Sequence, residues 1–132
     1  MAAVSVLKPF RRPRLWLGLW AAALLAVIVV CLVPPPPLEL PQHSDKLEHL
    51  LAYAILAAGA VQLFPRGRGL WMAGGGLVLM GVLLEFAQGE LTSTRMADPA
   101  DALANTVGVV LGLSTALTPW RDALLKVEGG DG

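Results

Sequence analysis

The nineteen residues Leu15–Val33, LWLGLWAAALLAVIVVCLV, contain no charged side chain. As a helix rising 1.5 Å per residue, this run is about 28 Å long, which matches the apolar thickness of a bilayer. Arg11, Arg12 and Arg14 precede the run, as basic residues precede a secretory signal. However, the run is longer than the apolar part of a usual signal, and four prolines follow it in place of a small-residue cleavage site. The stretch therefore predicts a retained first transmembrane helix.

The remainder of the chain is almost as apolar. Hydrophobic residues make up 55% of the 132 residues and charged residues 15%, against roughly 25% charged in a soluble domain. The formal net charge is zero, so no general basic surface is available for nucleic acid. Cys31 is the single cysteine, and it can form no internal disulfide. The composition predicts one all-α integral membrane domain that binds no nucleic acid.

Three further apolar segments predict transmembrane helices at about 47–64, 70–88 and 100–117. Eight basic residues fall outside the apolar segments on one side, whereas the loops on the other side hold only Lys46 and Arg95. Basic loops face the cytoplasm, so the pattern predicts a four-helix bundle with both termini cytoplasmic. The eight residues are Lys8, Arg11, Arg12, Arg14, Arg66, Arg68, Arg121 and Lys126. In this arrangement all four tryptophans lie near the cytoplasmic interface, where the amphipathic indole ring is stable: Trp16, Trp20, Trp71 and Trp120.

The predicted order of segments follows from these spans. A basic cytoplasmic N-terminus (1–14) precedes the first span (15–33), and an external loop (34–46) leads to the second. A cytoplasmic tail (118–132) follows the fourth, and we expect its last residues, from Glu128 onward, to fray. The glycines of the third span favour close packing between helices: Gly74, Gly75, Gly76 and Gly81.

Ionisable residues are concentrated where the second span begins. Asp45, His49 and Tyr53 are spaced i, i+4, i+8, so they share one helical face. Lys46 and Glu48 lie beside them. The sequence therefore predicts a polar face at the outer end of this span.

The outer ends of the third and fourth spans are polar as well. Their polar residues are Glu85, Gln88, Arg95, Asp98, Asp101 and Asn105, and Gly108 and Gly112 continue the stripe that Asp101 and Asn105 begin. Glu85 lies about 22 Å along a helix from Leu70, which puts it inside the apolar layer. A carboxylate at the bilayer centre costs about 2.5–3.5 kcal/mol, and less near the edge, so it needs a partner. Arg95, Lys46 and His49 are the candidates.

Some of this pattern has a purely local explanation. The acidic residues before the second and fourth spans are typical of helix N-termini, and Gly108-x-x-x-Gly112 is typical of simple helix packing. These explanations do not account for Glu85, Gln88 and Asn105, which lie at similar depth on two different helices. The pattern favours a functional or shared structural network over unrelated local roles.

Three motifs in this order resemble the VanZ-like family: Asp45-Lys46-x-x-His49-x-x-x-Tyr53, Glu85-x-x-Gln88, and Arg95-x-x-Asp98-x-x-Asp101-x-x-x-Asn105-x-x-Gly108-x-x-x-Gly112. Members of this family are small bacterial integral membrane proteins, and its founding member is associated with resistance to the glycopeptide teicoplanin. The resemblance covers residues 44–113. It implies a multi-pass protein of the bacterial cytoplasmic membrane whose motif residues lie at the outer face. The resemblance implies a location for the protein and an association with antibiotic resistance, but it implies no particular biochemical reaction.

The favoured hypothesis is a non-enzymatic envelope protein that affects how a glycopeptide or a lipid-linked wall precursor behaves at the outer leaflet. Lys46 and Arg95 would face an anionic or pyrophosphate head group, as cationic side chains do. Glu85, Asp101 and Asn105 would hold these cations in place. The expected partners are the lipid bilayer and an anionic or lipid-linked wall precursor.

Two other classes remain open. An intramembrane enzyme acting on a polyprenyl-phosphate or wall-precursor lipid would use His49 with Asp45 or Glu85 as acid–base groups. Alternatively, the polar residues would only hold the helices together, and the function would be binding to another membrane protein. His43, Asp45, His49 and Glu85 match no zinc spacing, so we expect no metal and no cofactor.

Overall fold

The computed structural model of the chain describes residues 6–32, 44–91 and 99–129. In these ranges every regular element is helical, which confirms the predicted all-α class. The helices are α1 (Pro13–Leu32), α2 (Ser44–Leu63), α3 (Arg68–Leu91), α4 (Pro99–Leu113) and α5 (Ala123–Glu128). Two 3-10 turns, Ser114–Leu117 and Pro119–Asp122, connect α4 to α5.

Three helical segments are long and apolar enough to cross a membrane. They are α1, residues 68–87 of α3, and α4 together with the 3-10 turn that follows it. Their length and composition indicate a membrane protein. α2 coincides with the predicted span at 47–64 and is as long as α1, but it is not among the three, since Lys46, Glu48, His49 and Gln62 make it more polar. That α2 crosses the membrane stays a prediction.

α2 lies at the centre of the molecule. It contacts α1, α3 and α4, and its contact with α4 is the most extensive between any two of the described helices. Leu47, Leu51 and Ile55 are exposed at i, i+4, i+8 and form one outward stripe, whereas Tyr53 and Leu56 on the other side are buried. The most polar of the long helices is therefore also the one that the other helices shield.

Two glycines bring the backbones of α2 and α4 into direct contact. A Cβ atom on Gly108 would overlap the Leu50 carbonyl oxygen, and one on Gly112 would overlap the Ala54 carbonyl oxygen. On α3, a Cβ on Gly74 would lie 2.7 Å from Leu113 Cδ1. The predicted close packing of the other α3 glycines is confirmed only for Gly81, which packs against Asn105 and Tyr53. Gly75 and Gly76 face open space. Small residues thus set the spacing of α4 against both of its neighbours.

Trp20 connects α1 to the core. Its Nε1–H donates to the Leu56 carbonyl oxygen at 2.9 Å, and its ring packs edge-on against Phe64 with centroids 5.6 Å apart. A Cβ on Gly59 would lie 2.9 Å from the Trp20 ring, so α1 approaches α2 closely at this point. The sequence grouped Trp20 with the interfacial tryptophans. In the structure Trp20 packs between helices, while Trp71 and Trp120 are exposed.

The two ends of the described chain are joined at the basic end of the bundle. The Lys8 backbone N–H donates to the Leu63 carbonyl oxygen at 2.9 Å. Its buried Nζ donates to the Arg121 carbonyl oxygen at 2.6 Å and pairs with Asp122 Oδ1 at 2.7 Å. Gln62 at the end of α2 adds bonds to the Trp120 carbonyl oxygen and the Leu124 N–H. The N-terminal segment, the α2–α3 turn and the C-terminal helix therefore form one connected unit.

Glu128 does not fray as expected. It accepts hydrogen bonds from the Arg11 N–H at 2.6 Å, the Arg12 N–H at 3.0 Å and Trp16 Nε1. Desolvation opposes the ionised carboxylate, but these three donors outweigh it and hold the pKa of Glu128 below its ordinary value. The carboxylate thereby ties α5 to the start of α1.

Substituting Gly108 with alanine should destabilise the protein, by about 1–3 kcal/mol, because the new methyl group overlaps the backbone of α2. Gly76→Ala is the matched control: it is the same change in a helix, but it faces open space, and the higher helix propensity of alanine should leave stability unchanged or raised. Unfolding of both variants in detergent measures the difference. Equal stabilities would show that the α2–α4 spacing is not set by Gly108.

Stability should fall at acid pH partly through Asp122. The hydrogen bond from Lys8 is the main cause that lowers the pKa of Asp122 below its ordinary 3.8. A lowered native-state pKa contributes stability above pH 3.8, and this contribution is lost as the pH falls through the native-state value. The Asp122→Asn variant should therefore have a lower melting temperature than wild type at about pH 7, and it should lose less stability on acidification. The exposed Glu90→Gln exchange is the control, and an Asp122→Asn curve parallel to wild type would contradict the prediction.

Candidate functional site

The buried face of α4 carries its polar residues. This face consists of Asp101, Asn105, Gly108, Val109 and Gly112. Asn105 is only 2% exposed and Asp101 7% exposed. A helix that faced lipid on all other sides would turn its apolar residues outward and its polar residues toward α2 and α3, as α4 does here.

Two polar pairs connect this face to the start of α2. Lys46 Nζ lies 3.6 Å from Asp101 Oδ1. One turn further along, His49 Nδ1 is 2.9 Å from Asn105 Oδ1. An amide oxygen can only accept, so the His49 Nδ1–H donates this bond and Nε2 takes no part in it. The His49 ring is thus held against α4 through Nδ1.

Tyr53 and α3 complete the cluster. Tyr53 is 1% exposed, and among the described residues its hydroxyl has no hydrogen-bond partner. A Cβ on Gly81 would lie 3.1 Å from Asn105 and 3.3 Å from the Tyr53 ring, so α3 meets both side chains at this point. Glu85, 6% exposed, follows Gly81 by one turn on the same face and lies within electrostatic range of the Tyr53 hydroxyl. Side chains from three helices therefore meet at one level.

A cavity of about 230 Å³ lies beside the cluster, between α1 and α2. Glu48, His49, Ala52 and Tyr53 form the α2 wall. The α1 wall is formed by Ala26, Val27, Val30 and Cys31. The cavity has one mainly apolar wall and one polar wall, which suits an amphiphilic ligand.

The cluster is acidic on balance in its described part. Glu85 and Asp101 are two buried carboxyl groups, and Lys46 Nζ lies beside Asp101 Oδ1. Glu48 adds an exposed carboxylate at the cavity. Among the described residues no three His, Cys, Asp or Glu side chains form a group that could hold a metal ion.

Some predicted site residues lie outside the described part of the chain. Arg95 and Asp98 fall in the gap between α3 and α4. Asp45 and Gln88 have a helical backbone in α2 and α3, but their side chains are not described. The structure therefore brings together six of the ten predicted cluster residues: Lys46, His49, Tyr53, Glu85, Asp101 and Asn105.

Sequence reasoning missed two contributors. The sequence places none of the predicted cluster residues on the first span, yet α1 forms one wall of the cavity, which includes Val30 and Cys31. No sequence signal pointed to this, since α1 is apolar all round. Gly81 was treated as a packing residue of α3, but it contacts the site through Asn105 and Tyr53. Its position four residues before Glu85 was the available signal.

The comparisons with known proteins add no relative. No protein-family model matches the chain, and no curated protein or solved structure is significantly similar to it. The functional argument therefore depends on the residues and geometry of the chain itself.

The His49–Asn105 hydrogen bond should couple α2 to α4. In a double-mutant cycle of His49→Ala and Asn105→Ala we expect a coupling energy of about 0.6 kcal/mol, and at most about 1.7 kcal/mol, as for other interhelical bonds in membranes. Unfolding in mixed detergent micelles provides the four stabilities.

Thr106 provides the control for this cycle. Its hydroxyl donates to the Ala102 carbonyl oxygen within α4, at 2.9 Å. Thr106→Ala and His49→Ala should therefore be additive. If the effects of His49→Ala and Asn105→Ala on stability were also additive, the hydrogen bond between the two side chains would contribute nothing to stability.

Proposed function

We propose that the chain is a VanZ-like protein of the bacterial cytoplasmic membrane that crosses the bilayer four times, with both termini in the cytoplasm. The eight basic residues of the predicted inner side support this orientation. The contacts of Lys8, Arg11 and Arg12 also bring the N-terminal segment, the end of α2 and the C-terminal segment of the described chain to the same side. α2 crosses as the central helix, and its polar start faces α4 rather than lipid.

The function that the geometry supports best is binding of the polar part of a lipid-linked wall precursor at the outer leaflet, without catalysis. The observation that carries this proposal is the burial of ionisable side chains from α2, α3 and α4 together, beside a cavity open between α1 and α2. Each such group lowers the stability of a membrane helix, so ionisable groups within a membrane are retained chiefly for function. The Tyr53 hydroxyl adds to this cost, because a buried hydroxyl without a partner costs about 1–3 kcal/mol.

The cavity limits which part of the ligand it holds. At about 230 Å³ it is smaller than the roughly 300–1,000 Å³ of a pocket that encloses a whole ligand. Its lining contains the Glu48 carboxylate and neither lysine nor arginine, which disfavours an anionic phosphate there. A hydroxyl- or amide-bearing part of the head group fits there, bonded by His49 Nε2 and the Tyr53 hydroxyl. The phosphate then lies toward Lys46, and the lipid chain stays in the bilayer.

A second candidate is a structural one. The Lys46–Asp101 and His49–Asn105 pairs connect α2 to α4 directly, and this favours a polar clasp that shapes the bundle for another membrane protein. In the binding proposal the same pairs orient the α2 wall of the cavity. The two candidates differ in what Tyr53 does, because its hydroxyl has no partner in the clasp.

Tyr53→Phe should abolish binding of a fluorescent lipid-linked wall precursor to the purified protein and leave its melting temperature unchanged or raised. The hydroxyl is proposed to bond the ligand, and removing an unpartnered buried hydroxyl costs the fold nothing. Fluorescence polarisation in detergent measures binding, and thermal unfolding of the same sample measures stability.

Cavity filling gives a matched control for this test. Ala26→Leu should block the cavity from the α1 side, whereas Ala23→Leu makes the same change on an exposed part of α1 that does not line the cavity. Binding that survives in Tyr53→Phe and Ala26→Leu alike would exclude the cavity as the ligand site and leave the clasp. Turnover of the labelled precursor that depends on His49 would instead show an enzyme.

A further inference from the structure

Two cavities at the basic end of the bundle share Arg66 and Leu70. One, of about 390 Å³, has four charged lining residues, Lys8, Arg66, Arg121 and Asp122, and its other lining residues are apolar. The other, of about 690 Å³, is a groove between the start of α3 and the end of α4. Both have the size of ordinary ligand pockets, roughly 300–1,000 Å³. Because they meet at Arg66, one amphiphilic molecule can occupy both.

The first cavity carries excess positive charge. Lys8, Arg66 and Arg121 line it against the single carboxylate of Asp122. Asp122 Oδ1 forms an ion pair with Lys8 Nζ at 2.7 Å. Asp122 Oδ2 lies 3.8 Å from Arg121 Nε. Arg66 has no ion pair among the described residues and is exposed. A guanidinium held at the membrane end of a helix pair and left without a protein carboxylate is suited to bind a phosphate.

The second cavity is apolar and continues toward the membrane interior. Its walls are formed by Leu70, Trp71, Val110, Leu113, Ala116 and Leu117, with Arg66, Gly67 and Ser114 as its other lining residues. From Val110 near the end of α4 to Leu117 in the following 3-10 turn, the groove extends for roughly 10 Å. Trp71 is 75% exposed beside it, as an indole ring at a bilayer interface commonly is. The groove thus offers an apolar chain a surface on the lipid-facing side of the bundle.

We propose that this pair of cavities binds an anionic phospholipid, with its phosphate on Arg66 and Arg121 and an acyl chain in the α3–α4 groove. The charge of the first cavity selects an anionic over a zwitterionic head group, as basic pockets between membrane helices do. The apolar groove requires the lipid rather than a free phosphate. The site lies at the opposite end of α2 from the polar cluster and is independent of the ligand proposed there.

The test uses the full chain purified in a neutral detergent. Phosphatidylglycerol should bind and raise the melting temperature, phosphatidylcholine should do so at least fivefold more weakly, and glycerol phosphate without acyl chains should not bind. Arg66→Gln should weaken phosphatidylglycerol binding about fivefold, as expected for one basic residue near a membrane surface. Arg14→Gln is the matched control, because Arg14 is exposed at the start of α1 and lines neither cavity. Native mass spectrometry counts the bound lipid.

A second pair of variants tests the groove. Val110→Trp should fill it and reduce binding, while Val107→Trp, an exposed position on the same helix outside the groove, should not. Equal binding of the two phospholipids, binding of glycerol phosphate alone, or wild-type affinity in Arg66→Gln would each overturn the proposal. Tyr53→Phe should bind phosphatidylglycerol like wild type, so failure at the polar cluster and failure at this site are distinguishable.

Discussion

The contact of α4 with the backbone of α2 at Gly108 and Gly112 is the constraint on which the other features depend. Without a Cβ at these two positions, the helices approach until side-chain atoms are no longer between them. This spacing brings short polar side chains within reach of each other. Asn105 reaches His49 at 2.9 Å, and Asp101 comes within 3.6 Å of Lys46. A wider crossing would lengthen both distances and weaken both contacts.

The bundle has two polar ends of different character. At the basic end, buried Lys8 and the carboxylate of Glu128 connect segments that are far apart in sequence, so the chain termini stabilise the start of α1 and the end of α2. At the other end, the described charges are mostly acidic and belong to the helices themselves. The central α2 connects the two ends: Gln62 bonds to the C-terminal segment, and His49 bonds to α4.

Helical periodicity is the sequence signal that agrees with the described helices. The i, i+4 spacing of His49 and Tyr53, and the stripe from Asp101 to Gly112, predicted which residues share a face, because the helix repeat alone fixes that relation. The pairing of those faces was not predictable. Arg95, Lys46 and His49 were candidates to accompany Glu85. The structure places Lys46 beside Asp101 and His49 on Asn105, and Arg95 lies outside the described residues. Pairing depends on the rotation and depth of each helix, which no local pattern records.

The sequence by itself determined that this is an all-helical membrane protein, since apolar segments long enough to cross a bilayer can satisfy their backbone only as helices. It also determined which residues of each helix lie on a common face. Only the tertiary structure decided that Trp20 packs between helices, that α1 forms one wall of a cavity, and that Glu128 is held by Arg11 and Arg12. The hydrogen bonds of Trp20 and Glu128 join residues 36 to 117 positions apart. They depend on how the helices pack in three dimensions. The sequence of a helix that is apolar all round, like α1, does not indicate which of its sides contacts the neighbouring helices.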